Sequence, residues 1–308
     1  MKKITFLISV LCFSILFSCK ENEVNSLNVS EIDEASSILN AEIRNGKVHF
    51  EGLTEMKQTI AFLIENPDYE FESLDNNFKS FKAKRQELEQ SEVRPSDDIF
   101  NKYFSTLILD GEEIVVSKIT DEIFEKVVNQ DGFFEINDEE YFFVENQLMK
   151  RSLSDSQSLV LKVSDLKVEI ERLVSEPNSQ LRAINGGGNF FCSGREYRLL
   201  GDLVNFNIGI YQRLSIQVKY QRKNQSFWSW IDPWLSENGS LFYNANFTIQ
   251  PAGGFPPVYV NLTDNCGSCS GFNKTVDWNV GVAGPTQWSN QSGNFGGTVA
   301  CGYRSYSF

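Results

Sequence analysis

The side chains best suited to chemistry lie in one short run, Phe227 to Trp234. On a strand, Trp228, Trp230 and Asp232 would point to one side and Phe227, Ser229 and Ile231 to the other, with Pro233 and Trp234 following at once. Flat indole faces that stack on sugar rings, beside a carboxylate that accepts hydroxyl hydrogen bonds, make a carbohydrate-recognition surface. Trp228, Trp230, Asp232 and Trp234 are therefore the expected ligand-binding residues. The competing arrangement turns the tryptophan face inward, into the core or onto the other half of the chain. Trp278 has that inward character, since Val276, Val280 and Val282 would share its face.

The remaining constellations carry less. Cys266-Gly267-Ser268-Cys269 resembles the nucleophile segment of papain-like proteases, but Ser270 stands where an aromatic should follow and no histidine lies downstream. His49 is the one histidine of the chain, so Ser-His and Cys-His mechanisms are hard to assemble and sites needing several histidines are excluded. Between Val48 and Phe50, His49 is expected as an ordinary strand residue. Asn129, Asp131, Gly132 and Asp138 fit four positions of an EF-hand loop, yet Val127 occupies the first, where a carboxylate is required. Gly186 to Gly188 lack the lysine and spacing of a phosphate loop. Paired carboxylates for glycoside hydrolysis converge only in the fold; Asp232, Glu237, Asp264 and Asp277 are the candidates in the second half, and each also fits a turn or surface acid. No catalytic residue, metal site or cofactor is assigned.

The N-terminus carries an address. Lys2 and Lys3 precede a mostly apolar run, Ile4 to Phe17, which has the length of a signal-peptide core and is too short to span a bilayer as a permanent helix. It ends in Leu16-Phe17-Ser18-Cys19, which resembles the lipobox of bacterial lipoproteins. The resemblance implies cleavage after residue 18 and a lipid on the Cys19 sulfur. Lys20, Glu21 and Glu23 then resemble the export signal of surface-exposed lipoproteins in the Bacteroidota (Bacteroidetes), with Asn22 interrupting the acidic pair. On these residues the chain resembles the cell-surface lipoproteins of that group. The resemblance implies anchoring in the outer membrane with the protein facing outward, and it transfers no catalytic or binding residue.

Charge narrows the partners. The chain has 28 basic and 41 acidic residues, a net of −13. A chain of that sign cannot neutralise a phosphate backbone, which excludes nucleic acid, and an anionic lipid surface would repel it, so contact with the membrane falls to the lipid anchor. The charge is uneven. From Lys20 to Ala183 there are 18 basic and 35 acidic residues, and from Ile184 to Phe308 there are 8 and 6. All five tryptophans and four cysteines lie in that second part.

These shifts divide the chain into a signal peptide (1–18), a lipidated cysteine with a polar tether (19–50), an acidic α+β domain (51–183), a Gly-rich linker (184–189) and a β-sandwich domain (190–308). In the acidic part, Leu53, Met56, Ile60, Leu63 and Ile64 recur at helical spacing before Pro67. A second helical pattern runs from about Leu74 to Glu92, with Phe78, Phe81 and Leu88 inward. Asp97 and Asp98 are expected to cap a short helix bearing Ile99, Tyr103 and Phe104. Asp110-Gly111 between two β-prone runs marks a hairpin, Asp131-Gly132 a turn into a strand, and Asp165 to Glu176 a late helix. In the second part, Leu214, Ile216, Val218 and Tyr220 alternate with Ser215, Gln217, Lys219 and Gln221, which predicts one buried and one wet face. Leu241, Tyr243, Ala245, Phe247 and Ile249 repeat the pattern.

Four cysteines in an exported chain point to two disulfides in one of three connectivities. The favoured pairing joins Cys266 to Cys269 as a local loop and Cys192 to Cys301 as a clamp across the β domain, with a four-thiolate zinc site as the rival. Two function classes follow: a non-catalytic surface lipoprotein that binds a glycan or a partner protein of the envelope, and an envelope hydrolase using carboxylates.

Overall fold

The computed structural model describes residues 39, 41–109, 112–144, 147–153, 171–172, 182–224, 230–231, 234–250, 256–281 and 287–307. The signal peptide, Cys19, Trp228, Asp232 and Val282 lie outside them, as does most of the helix expected over 165–176. Among the described residues strands outweigh helices, and no helix is long and apolar enough to cross a membrane.

The first half opens with β1 (Glu42–Arg44) and β2 (Lys47–Phe50), joined by Asn45-Gly46, both at positive φ as a tight hairpin requires. Helix α1 (Leu53–Glu65) follows the expected spacing, burying Met56, Ile60 and Leu63 while Leu53 stays exposed. Asn66 ends it, its side-chain amide donating back to the Phe62 carbonyl at 2.9 Å, one residue before Pro67. Helix α2 (Phe81–Glu89) starts seven residues later than the pattern from Leu74 suggests. Local side-chain bonds win there: the Asp75 carboxylate accepts from the Asn77 amide at 2.8 Å, and Ser80 caps the helix by accepting from the Ala83 amide. Phe78 is buried all the same, outside any helix.

In α3 (Asp97–Tyr103) the cap position falls on Ser96, with Asp97 and Asp98 in the first turn, where the helix dipole favours them. Phe104 leaves that helix to begin β3 (Phe104–Leu109), which pairs antiparallel with β4 (Glu112–Ser117) so that Leu109 faces Glu112. After the single turn α4 (Phe124–Val127) come β5 (Phe133–Ile136), β6 (Glu139–Val144), β7 (Gln147–Ser152) and β8 (Glu171–Arg172). Glu171 and Arg172, expected in a helix, are therefore strand and pair with Lys150 and Met149. The sheet order is β1-β2-β5-β6-β7-β8, and only β2 with β5 runs parallel.

The second half builds two sheets from β9 (Arg182–Cys192), β10 (Arg195–Asn207), β11 (Tyr211–Lys223), β12 (Trp234–Ser236), β13 (Gly239–Gln250), β14 (Val258–Cys269), β15 (Gly271–Val280), β16 (Gln287–Val299) and β17 (Gly302–Ser307). One sheet orders β12-β11-β10-β9, with β15 also on β11; the other orders β14-β13-β16-β17. Leu199, Leu203, Ile216 and Val218 of the first meet Leu241, Tyr243, Ala245 and Phe295 of the second in one hydrophobic cluster. Cys192 pairs with Cys301 at a Cα separation of 5.8 Å and Cys266 with Cys269 at 6.0 Å, which leaves none of these thiols for zinc or for nucleophilic attack.

Three expectations are corrected here. Gly186-Gly187-Gly188, read as linker, lies within β9. Gly186 pairs with Gly201 of β10, and a Cβ on either would fall 3.1 or 2.5 Å from the ring of buried Phe295, so the glycines make room for an aromatic rather than supplying flexibility. The shared face of Val276 and Trp278 is broken by a bulge, since Leu214 faces Asp277 while Ser215 faces Thr275. Val276 accordingly packs in the inter-sheet cluster, whereas Trp278 and Val280 join the core of the first half. The third correction concerns the wet face of β11. Ser215 is fully buried and Gln217 is 3 % exposed, because the first half covers them. That core also recruits Val204, Phe206, Ile208 and Tyr211, with the Phe124 ring stacked 5.6 Å from Tyr211.

Candidate functional site

The polar row of β11 forms one wall of a cavity of about 950 Å³ between the two halves. Strand registry sets out that wall. Arg198 of β10 faces Gln221, Asp202 faces Gln217, and on the other side Gln217 faces Asn273 of β15. Arg198 Nε donates to Gln221 Oε1 at 2.8 Å and its guanidinium lies 4.2 Å from the Trp234 ring centroid, which fixes the indole at one end of the wall. The facing wall comes from α2 (Lys82, Arg85, Gln86, Glu89), from β4 and from residues 119–125.

A buried ion pair joins the walls. Arg213 Nε donates to Asp121 Oδ2 at 2.6 Å, with both side chains at most 2 % exposed. Asp121 also accepts from the Phe124 amide at 2.8 Å, and Arg213 Nη1 donates to Thr275 Oγ1 at 3.2 Å. Burial works against the charge on Arg213, but Asp121, Tyr211 and Glu122 together outweigh it and the guanidinium is held above its usual value; burial, then the Asp121 charge, pushes the Tyr211 phenol well up. Arg85 makes a second fork, with Nε 2.8 Å and Nη2 3.1 Å from the two oxygens of Glu125, and reaches Glu89 at 2.6 Å.

Glu122 lines the same cavity and accepts from the Asn273 amide. Burial raises its pKa; the charges of Arg213 and Lys219, the Asn273 bond and the Lys82 charge together outweigh burial and hold the carboxyl below its usual 4.5. A depressed carboxyl stabilises the fold above its unfolded value and loses that contribution as pH falls through the folded one. Glu122→Gln is thus expected to lower Tm at neutral pH, with the gap from wild type closing as pH drops below 4.5. Scanning calorimetry across that range checks it, and a gap that stayed constant would assign Glu122 to packing instead.

The expected site residues part company. Trp234 lines the cavity. Trp230 does not: its ring packs edge-on to Phe104 at 5.1 Å and Phe100 at 5.8 Å, and its indole N–H donates to the Leu88 carbonyl at 2.8 Å. It docks one half on the other, because a partly buried indole finds both its apolar area and its acceptor there. Trp228 and Asp232 lie outside the described residues. Glu237 is bound by Arg222, Asp264 lies on β14 of the second sheet and Asp277 on β15, and none of the three lines the cavity. His49 sits in β2, 5 % exposed, 2.8 Å from an Arg44 nitrogen and 3.4 Å from Glu135. Among the described residues no cluster of His, Cys, Asp and Glu could hold a metal.

Sequence reading missed Thr120, Asp121, Arg213 and Gln217. Their one visible signal was the polar alternation along β11, which marks a wet face without saying what covers it.

No protein-family model matches the chain, and no curated protein or solved structure matches it either.

Proposed function

We propose that the chain is a non-catalytic lipoprotein, anchored by lipid on Cys19 to the outer membrane and facing outward, that binds a glycan in the cavity between its halves. On this reading the first half is an α+β unit and the second a disulfide-braced β-sandwich. The address rests on Leu16 to Cys19 and on Lys20, Glu21 and Glu23. The binding function rests on one observation: Gln217, Gln221 and Asn273 line one wall of the cavity, buried at Gln217, half-buried at Gln221 and exposed at Asn273, with Trp234 at its end. Amide side chains offer both a donor and an acceptor to sugar hydroxyls, and an indole offers a face to the ring. The hydrolase reading has less support. A general acid needs a raised pKa, whereas Glu122 is lowered and Glu89 and Glu125 are both held by Arg85.

Tryptophan fluorescence of the full-length protein in detergent, titrated with a panel of envelope and dietary oligosaccharides, tests the proposal. A saturable change that Trp234→Ala and Gln217→Leu each weaken at least tenfold, with no turnover of the sugar, is expected. A flat response across the panel, or binding indifferent to both substitutions, would refute the cavity as a glycan site.

A further inference from the structure

The outer face of the sheet β14-β13-β16-β17 lies away from the cavity. Leu241, Tyr243, Ala245 and Phe247 of β13 point into the inter-sheet core, so Phe242, Asn244 and Asn246 point out. Registry carries the alternation across all four strands. Asn244 stands between Thr263 of β14 and Asn294 of β16, and Asn294 faces Ser307 of β17, which makes one row of amides and hydroxyls. Asn246 with Asn261 and Ser292 makes the next row. Asn244, Asn246, Asn261 and Thr263 are all exposed. Such groups repeat about every 4.8 Å across the strands and about every 6.7 Å along them.

This face carries no charge. β13 and β16 contain no Asp, Glu, Lys, Arg or His, and the one charged residue of β14 is Asp264 and of β17 Arg304. Asp264 faces Tyr243, and Arg304 faces Gly297, which in turn faces Leu241, so both belong to the inner side. A soluble surface ordinarily carries about 25–35 % charged residues, and 22 % of this chain is charged. An aromatic pair adjoins the polar rows. The Phe242 and Tyr303 ring centroids are 6.0 Å apart with planes at 8°, and Tyr303 is 64 % exposed. Gly296 of β16 runs between their strands, and a Cβ there would come within 3.0 Å of the Phe242 ring. The absent side chain gives that ring room to lie over β16 toward Tyr303.

We propose that this face is a second binding surface, separate from the cavity, that takes an uncharged polysaccharide. Phe242 and Tyr303 stack on a sugar ring, and Asn244, Asn246, Asn261 and Thr263 bond hydroxyls along the polymer. Neutrality selects this occupant. Nucleic acid needs cations to meet its phosphates and an anionic lipid surface needs them likewise, and the face has none. A second copy of the chain fits poorly, because protein interfaces favour Arg and Met and are depleted in serine. A sugar hydroxyl both donates and accepts, as the amides and hydroxyls of this face do.

Affinity electrophoresis of the full-length protein in detergent tests this, through gels holding neutral polymers (a β-glucan, a galactomannan, a starch) or acidic ones (a pectate, an alginate). At least one neutral polymer is expected to retard the protein, and Tyr303→Ala and Asn244→Ala should each weaken that retardation at least fivefold. Phe191→Ala removes a comparably exposed aromatic from β9 of the other sheet and should leave it unchanged. No retardation by any neutral polymer would overturn the proposal, as would stronger retardation by the acidic ones. Retardation that survives Tyr303→Ala but is lost in Trp234→Ala would place the sugar in the cavity alone. A dimer in sedimentation that Tyr303→Ala converts to monomer would instead make the face a contact between copies.

Discussion

Asp121→Ala is expected to cost about 3–5 kcal/mol of stability, the range for removing one partner of a buried ion pair. The deletion strands Arg213, whose side chain is 2 % exposed. It also removes the acceptor of the Phe124 amide at the start of α4 and of the Tyr211 hydroxyl at 3.4 Å. For a chain of this size such a loss corresponds to a fall in Tm of roughly 5–8 °C. The informative companion is the double variant Asp121→Leu with Arg213→Met. Hydrophobic replacement of both partners removes the stranded charge, so the double variant should be more stable than Asp121→Ala alone. Chemical denaturation of the three proteins settles the point, and a double variant worse than the single one would show that the pair contributes net stability beyond mutual compensation.

The second large effect belongs to the disulfide between Cys192 and Cys301. The two residues are 109 positions apart and join the β9–β10 hairpin of one sheet to the β16–β17 turn of the other. In the chain-entropy account a loop of about that length contributes up to ~4.7 kcal/mol by restricting the unfolded chain. Replacing both cysteines by serine is expected to cost about 2–5 kcal/mol. The pair Cys266 and Cys269 closes a loop of only three positions, for which the same account allows at most about 2 kcal/mol. Urea midpoints of the two double-serine variants should therefore separate clearly. Equal losses would mean that native packing beside the bridge sets the cost, for example the bond from the Ala300 amide to the Tyr220 hydroxyl at 3.0 Å.

Local pattern carried much of the fold. The spacing from Leu53 to Ile64 marked α1, Asp110-Gly111 marked the β3–β4 hairpin, and alternation from Leu241 to Phe247 marked the buried face of β13. Each of these depends on residues within a dozen positions. The failures arose where a distant element decided the outcome. The glycine run was read as punctuation because Phe295, which lies over it, is more than a hundred residues away. The face of β11 was read as wet because its cover lies in the other half. For the site, Trp234 was legible as an aromatic of the polar strand region, while Trp230 was claimed by Phe100, Phe104 and the Leu88 carbonyl, 142 positions distant. Asp121 and Arg213 meet across 92 positions, and no periodicity records such a meeting.

The parallel pairing of β2 with β5 has a consequence for how the chain comes to fold. His49 sits opposite Glu135, 86 positions later, with α1 to α4 and a hairpin threaded between them. A contact of that span closes late, because the intervening chain must first lose its freedom. As the chain is synthesised, β1 and β2 stand as an unpartnered edge until β5 arrives. That interval is when the nascent chain is most open to mispairing or to capture by a chaperone.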